Sequence, residues 1–155
     1  FAYKQDAEAN TLLERRGFAL VRLFFRMEAP LDVAVPEPAW PDGVGVRTFN
    51  PDDDLEPLVR AIREAFRDHW GFIEAPWEQD LKDFGHWIEN DPDHDPTLWF
   101  VAVETTSDAI VGTSFCRPKL PEDPDMAWIH NLGVRRPWRR QDRWLAVVAR
   151  GSAPI

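Results

Sequence analysis

The sequence predicts an α+β domain, and three observations carry that reading. Apolar residues recur at helical spacing over 55–70 and again over 77–88. Three short apolar runs separated by turn signals then follow, over 98–103, 110–116 and 126–134. The order from residue 43 is strand, helix, helix, strand, strand, strand: helices precede an antiparallel meander.

Composition sets the bounds. A chain of 155 residues suits one domain of ordinary size. With 44% apolar residues and eight Trp it can bury a real core. A formal net charge of −9 and a pI near 4.9 speak against nucleic acid or an anionic membrane surface as a partner. The single cysteine, Cys116, excludes an internal disulfide and fits a reducing compartment, hence a cytoplasmic protein. Cys116 itself reads as a small buried apolar residue. No apolar run approaches the ~18 residues of a membrane span. The opening "FAYKQDAEAN" lacks both the basic head and the apolar middle of a signal peptide.

Residues 6–16 are rich in helix formers, and Gly17 is a helix stop. In 18–27, Ala19, Val21, Leu23, Phe25 and Met27 form one apolar face, while Phe18, Leu20, Arg22, Phe24 and Arg26 form a mixed one. That period of two predicts a strand. Pro30, Pro36, Pro38 and Pro41 then bar both helix and central strand, which marks a module boundary.

"GVGVRTF" (43–49) predicts a strand, and "NPDDD" supplies turn and cap residues. Asp54 is the expected N-cap, with Pro57 in the tolerant first turn. Leu55, Leu58, Val59, Ile62 and Phe66 make the buried stripe of the helix that follows. A second helix is expected from Pro76 to Glu89, with Trp77, Leu81, Phe84 and Ile88 on one stripe. "NDPDHDP" (90–96) reads as a solvated acidic turn in preference to a metal site built on Asp91, Asp93, His94 and Asp95, so no metal is expected. The runs 98–103 and 110–116 form a hairpin, and 126–134 a third strand beside it.

The third strand ends in "NLGVRRPWRRQ". Together with "WFVAVE" and "AIVGTSFCRP" upstream, it resembles the GNAT superfamily of acyl-CoA-dependent N-acetyltransferases over residues 43–141. In that family a fourth strand runs into Arg/Gln-x-x-Gly-x-Gly/Ala, whose amides bind the pyrophosphate of acetyl-CoA. Leu132, Gly133 and Val134 match the strand end and Arg139 the first loop position, whereas Asp142 and Trp144 stand where the two glycines belong. The resemblance implies acetyl-CoA as co-substrate, with Leu132, Gly133, Val134, Arg139, Arg140 and Gln141 binding it. It implies Val134 as the backbone donor to the acetyl oxygen and a small-molecule or peptide amine as acceptor.

The same resemblance divides the chain. Residues 1–31 are similar to the closing helix and strand of a preceding GNAT-like domain. Residues 32–42 are the proline-rich linker, and 43–155 the first two thirds of a second such domain. The expected sheet is mixed, mainly antiparallel, flanked by helices and incomplete at the C-terminus. A second GNAT-like domain or a second copy is the expected protein partner.

The loop glycines have a physical role. Several N–H groups must converge on one anion at a helix N-terminus, and the backbone must come close to it. Asp142 brings a negative charge there, and Trp144 a bulky side chain. Like charges about 4 Å apart repel by about 4 kcal/mol at an intermediate dielectric, roughly two to three decades in affinity. Arg135, Arg136, Arg139, Arg140 and Arg143 act in the other direction, as phosphate contacts or else as a solvated basic turn. His130 has the right chemistry for a general base, and Glu104 is a second candidate. The bland alternative for His130 is a packed structural imidazole. Two functions stay open: an N-acetyltransferase in impaired or truncated form, or a degenerate, non-catalytic module that packs, binds a partner or senses a ligand.

Overall fold

The computed structural model describes residues 2–30 and 39–139. The chain divides into two compact units, Phe1–Pro30 and Leu31–Ile155.

In the first unit, α1 spans Ala7–Arg15. Asp6 caps it by accepting the Ala9 N–H at 2.9 Å, and Gly17 leaves it at φ 83°, a left-handed turn open to glycine. The strand expected over 18–27 is a correction: these residues carry neither helix nor strand. Alternation supplies only one half of a strand. The other half is a neighbour that accepts its backbone hydrogen bonds. Val21, Phe25 and Met27 are accordingly 79%, 82% and 86% exposed.

In the second unit, β1 (Val44–Thr48) leads into α2 (Pro51–Phe66). The cap is Asn50, whose side chain accepts the Asp52 N–H, and Pro51 takes the first helical position. Asp54 is therefore not the cap. It is buried one turn inside the helix, where Arg47 of β1 grips both its oxygens at 2.5 and 2.8 Å and the Asn50 N–H donates at 2.8 Å. Pro57 lies inside the helix rather than in its first turn. Leu58, Val59 and Ala61 are buried, with Ile62 packed against the same core. α3 spans Trp77–Asn90 and lays Phe84, Trp87 and Ile88 on that core.

A short turn at Pro96–Leu98 opens β2 (Trp99–Glu104), followed by β3 (Ile110–Arg117) and β4 (Trp128–Val134). Among the described residues the sheet has the order β1-β2-β3-β4, with every pair antiparallel. One face carries Trp99, Val101, Val103 and Phe115 beneath the helices, around Leu58 and Phe49. A smaller cluster of Val44, Ala102 and Val111 gathers Val46 and Trp138. β3 is buried along nearly its whole length, the polar Thr113 and Ser114 included.

Candidate active site at the open edge of β4

Among the described residues β4 is paired on one side only. Which of its backbone groups face outward follows from the ladder. The Arg135 N–H donates to the Val111 carbonyl at 2.9 Å, continuing the register that pairs Val134 with Gly112 and Gly133 with Thr113. Bonded and non-bonded pairs alternate in an antiparallel ladder. Leu132 and Val134 therefore turn their N–H and C=O groups away from β3, toward the open edge. The Val134 carbonyl bears this out by accepting from Arg139 Nε at 2.9 Å. Two outward amides two residues apart are thus presented along this edge, at Leu132 and Val134.

Gly133 sets the depth of this strand. A Cβ on it would meet Phe66 at 2.9 Å, the Ala65 Cβ at 3.2 Å and the Thr113 hydroxyl at 3.2 Å. Glycine here lets α2 lie directly on β4. Next to it, Thr113 donates to Asn131 Oδ1 at 2.8 Å, pinning β3 to β4 on the same face.

His130 is the extra residue of a bulge: Phe115 pairs with Asn131, but Cys116 pairs with Ile129. Its ring stands edge-on to Trp87 at 5.2 Å and lies 6.0 Å from both Trp99 and Phe115. Its Nε2 is buried with no hydrogen-bond partner among the described residues. Burial pushes its pKa down, the charge of Arg117 pushes the same way, and Asp91 partly offsets both. It is therefore a neutral imidazole in an aromatic setting. Glu104, the other base candidate, ends β2 and accepts from Ser107 at 2.5 Å in the hairpin turn, with β3 between it and β4.

The arginines of the turn are already engaged. Arg135 pairs with Glu64 at 2.7 Å. Arg139 donates to Val134, to both Asp68 oxygens at 2.6 and 3.0 Å, and to the Ala65 carbonyl at 2.5 Å. Its hydrogen bond to Asp68 holds that carboxyl below its ordinary pKa, outweighing the opposing effect of desolvation. Arg136 is the exposed member, 4.0 Å from Asp68. Arg140, Gln141, Asp142, Arg143 and Trp144 lie outside the described residues.

Sequence reasoning missed Glu64, Ala65 and Asp68 as partners of this turn. Only their place at the C-terminal end of α2, where carbonyls and acidic groups attract cations, could have hinted at it. It also read His94 as part of a solvated acidic turn, whereas the ring is buried at both nitrogens. That ring sits edge-on to Trp99 at 4.5 Å with both nitrogens buried and unpartnered among the described residues. The acidic turn around it is tied to protein groups: Asp91 to Arg117 at 2.5 Å, Asp93 to Lys119 at 3.6 Å, and Asp95 to the Thr97 N–H and hydroxyl.

No protein-family model matches the chain. Over 132 residues it is 30% identical to a mycothiol acetyltransferase of Thermomonospora curvata, covering 71% of this chain and 44% of that protein. The crystal structure of a GCN5-related N-acetyltransferase from Sphaerobacter thermophilus superposes with a TM-score of 0.70 at 31% identity, over 96% of this chain and 43% of that one. An N-myristoyltransferase of Saccharomyces cerevisiae with bound myristoyl-CoA superposes at a TM-score of 0.54, over 83% of this chain and 31% of that one; its 15% identity makes this a likeness of fold alone. The chain spans less than half the length of each of these proteins.

Helices laid on one face of an antiparallel sheet, with an open strand edge running into an arginine-rich turn, define a fold of the acetyltransferase type. The chain belongs to the GNAT superfamily. Among the described residues, no helix is long and apolar enough to cross a membrane.

Proposed function

We propose that the protein is an acyl-CoA-dependent N-acetyltransferase that moves an acetyl group from acetyl-CoA to an amine in the cytoplasm. The observation that supports it is the pair of outward amides at Leu132 and Val134, on an edge whose backbone an amide-bearing pantetheine arm can line as a strand would. Acetyl-CoA supplies the acetyl thioester when bound, held by Leu132, Gly133 and Val134 and by the loop residues Arg140 and Gln141. The Val134 N–H is the donor for the thioester carbonyl, where negative charge grows as the amine attacks. In the overall exchange the C–N bond forms, the C–S bond breaks, the amine gives up one proton and the departing thiolate gains one. His130, kept neutral by burial, is the candidate to accept the amine proton.

The acceptor is a small-molecule or peptide amine. The curated relative is named for mycothiol, which makes a mycothiol-related amine the first acceptor to assay. The sequence of residues 1–31 resembles the close of a preceding GNAT-like domain, of which the helix α1 forms and the strand does not; with 32–42 as the linker, a second such domain or a second copy is the natural protein partner.

A specific observation favours a second reading, in which the domain binds or packs without catalysing: Asp142 and Trp144 replace the loop glycines. Isothermal titration with acetyl-CoA separates the two. Weak or undetectable binding by the unmodified chain, improved by the double change Asp142→Gly and Trp144→Gly, supports an acetyltransferase site with an impaired loop. Tight binding by the unmodified chain shows the loop intact. Negligible binding by both removes the acyl-CoA reading for this chain.

A further inference from the structure

The head of the loop points inward. An arginine carries five N–H donors, and Arg139 commits four of them to hydrogen bonds: one to Val134, two to Asp68 and one to Ala65. The Val134 carbonyl it binds belongs to the same peptide group as the Arg135 N–H, which donates to Val111 of β3 at 2.9 Å. That one peptide plane is thus fixed from both sides, by β3 on the inside and by Arg139 on the open edge. The preceding peptide, which carries the Val134 N–H, is hinged directly to it. At its other end the guanidinium sits on the Ala65 carbonyl in the last turn of α2 and on Asp68, where a cation is favoured by both the helix dipole and the carboxylate. Gly133 contributes by bringing α2 close enough to β4 for one side chain to bridge them.

We propose that Arg139 is a positioning residue: it clamps the Val134 carbonyl to the C-terminal end of α2 and so aims the Val134 N–H along the open edge, without itself contacting a phosphate. Its part in aiming that amide at an acyl oxygen rests on reading this edge as the acyl-CoA site. The clamp itself does not. A lysine cannot replace it, because a single ammonium cannot span Val134, Ala65 and Asp68 as the planar fork does.

The test has two arms. In the first, amide hydrogen exchange is followed by NMR on the full chain without ligand, in the unmodified protein, Arg139→Ala and Arg139→Lys. The expected result is at least a tenfold loss of protection at the Arg135 amide in both variants, with Val101 and Val103 in β2 unchanged. Unchanged protection at Arg135, or equal loss throughout β2, overturns the proposal, the latter because it marks a general structural role. In the second, acetyl-CoA and S-acetylpantetheine, which has no phosphate, are titrated into the unmodified chain and Arg139→Ala. Weakening of both ligands by the same factor supports positioning. Weakening confined to acetyl-CoA makes Arg139 a phosphate contact and overturns it. If the unmodified chain binds too weakly to measure, the same titrations are run with and without Arg139→Ala in the chain carrying Asp142→Gly and Trp144→Gly; if that chain also binds neither ligand, the acyl-CoA reading of the site falls and the exchange arm alone decides the role of Arg139.

Discussion

Gly133 lies so close beneath Phe66 that a methyl group on it would stand 2.9 Å from the ring. The contact joins the strand that carries the candidate amides to the helix that anchors the following turn. Gly133→Ala should destabilise the protein by about 1–3 kcal/mol, the usual cost of overpacking. The denaturation midpoint in urea reads this directly. A midpoint unchanged from the unmodified protein would show that α2 gives way easily at this point.

Leu58 is fully buried against Trp99 and its neighbours, whereas Ile62 is partly buried on the same cluster. Leu58→Ala should cost about 2–5 kcal/mol, and Ile62→Ala less than Leu58→Ala. Chemical denaturation of the two variants checks the order. Equal and negligible costs would mean that α2 is not the lid of this core.

Arg47 and Asp54 tie β1 to the start of α2. Burial pushes the Asp54 carboxyl up, but the Arg47 hydrogen bonds, the Asn50 N–H and the Arg47 charge together outweigh it, so its pKa lies below the ordinary value. A depressed carboxylate stabilises the fold fully above its unfolded pKa, about 3.9, and that stability is lost as pH falls through the lower folded value. Asp54→Asn should therefore lose about 2–3 kcal/mol at pH 7, and its deficit relative to the unmodified protein should shrink below about pH 4. A deficit that stays constant down to pH 2.5 would rule the ion pair out as its source.

His94 and His130 give the opposite kind of signature. Burial is the largest influence on each and lowers both pKa values, with Asp91 and Asp95 opposing it at His94 and Asp91 opposing it at His130. The folded state then favours neutral rings, while the unfolded chain takes up protons below about pH 6.5. Stability should be full above that pH, decline as pH falls toward the folded pKa values, and level off beneath them. Urea midpoints at pH 7.5, 6.5 and 5.5 test the trend, and His94→Phe should flatten it in part. A midpoint rising toward pH 5.5 would mean that the rings are charged in the fold.

Local patterns made most of the second unit legible. The stripe of Leu58, Val59, Ile62 and Phe66 needs only helical periodicity, and the runs over 98–103, 110–116 and 126–134 need only their length and flanking turns. Both patterns record which side of an element meets the core, so they survive in the sequence. The expected N-cap at Asp54 failed for an instructive reason. Asn50 and Asp54 are chemically equivalent as caps, and what separates them is Arg47, on a different element, drawing one of them inside. The strand over 18–27 failed because alternation cannot supply a neighbour to bond to.

At the candidate site the division is sharper. Leu132, Gly133, Val134 and Arg139 were singled out by the resemblance of this strand end and the turn after it to the GNAT loop motif, which is carried by residues close together in the chain. What each of them does was not. The outward direction of the Val134 N–H depends on pairing with Gly112 of β3, the need for glycine at 133 on the approach of Phe66, and the inward fold of Arg139 on Ala65 and Asp68, some seventy residues earlier. The sequence alone determined the α+β class and the order of elements, since those follow from periodicity and local chemistry, and the β4 turn stood out through its resemblance to a family motif. Only the tertiary structure decided which amides face the open edge and which arginine is already spoken for. Hydrogen-bond direction and ion pairing arise between segments far apart in the chain, and no local pattern encodes them.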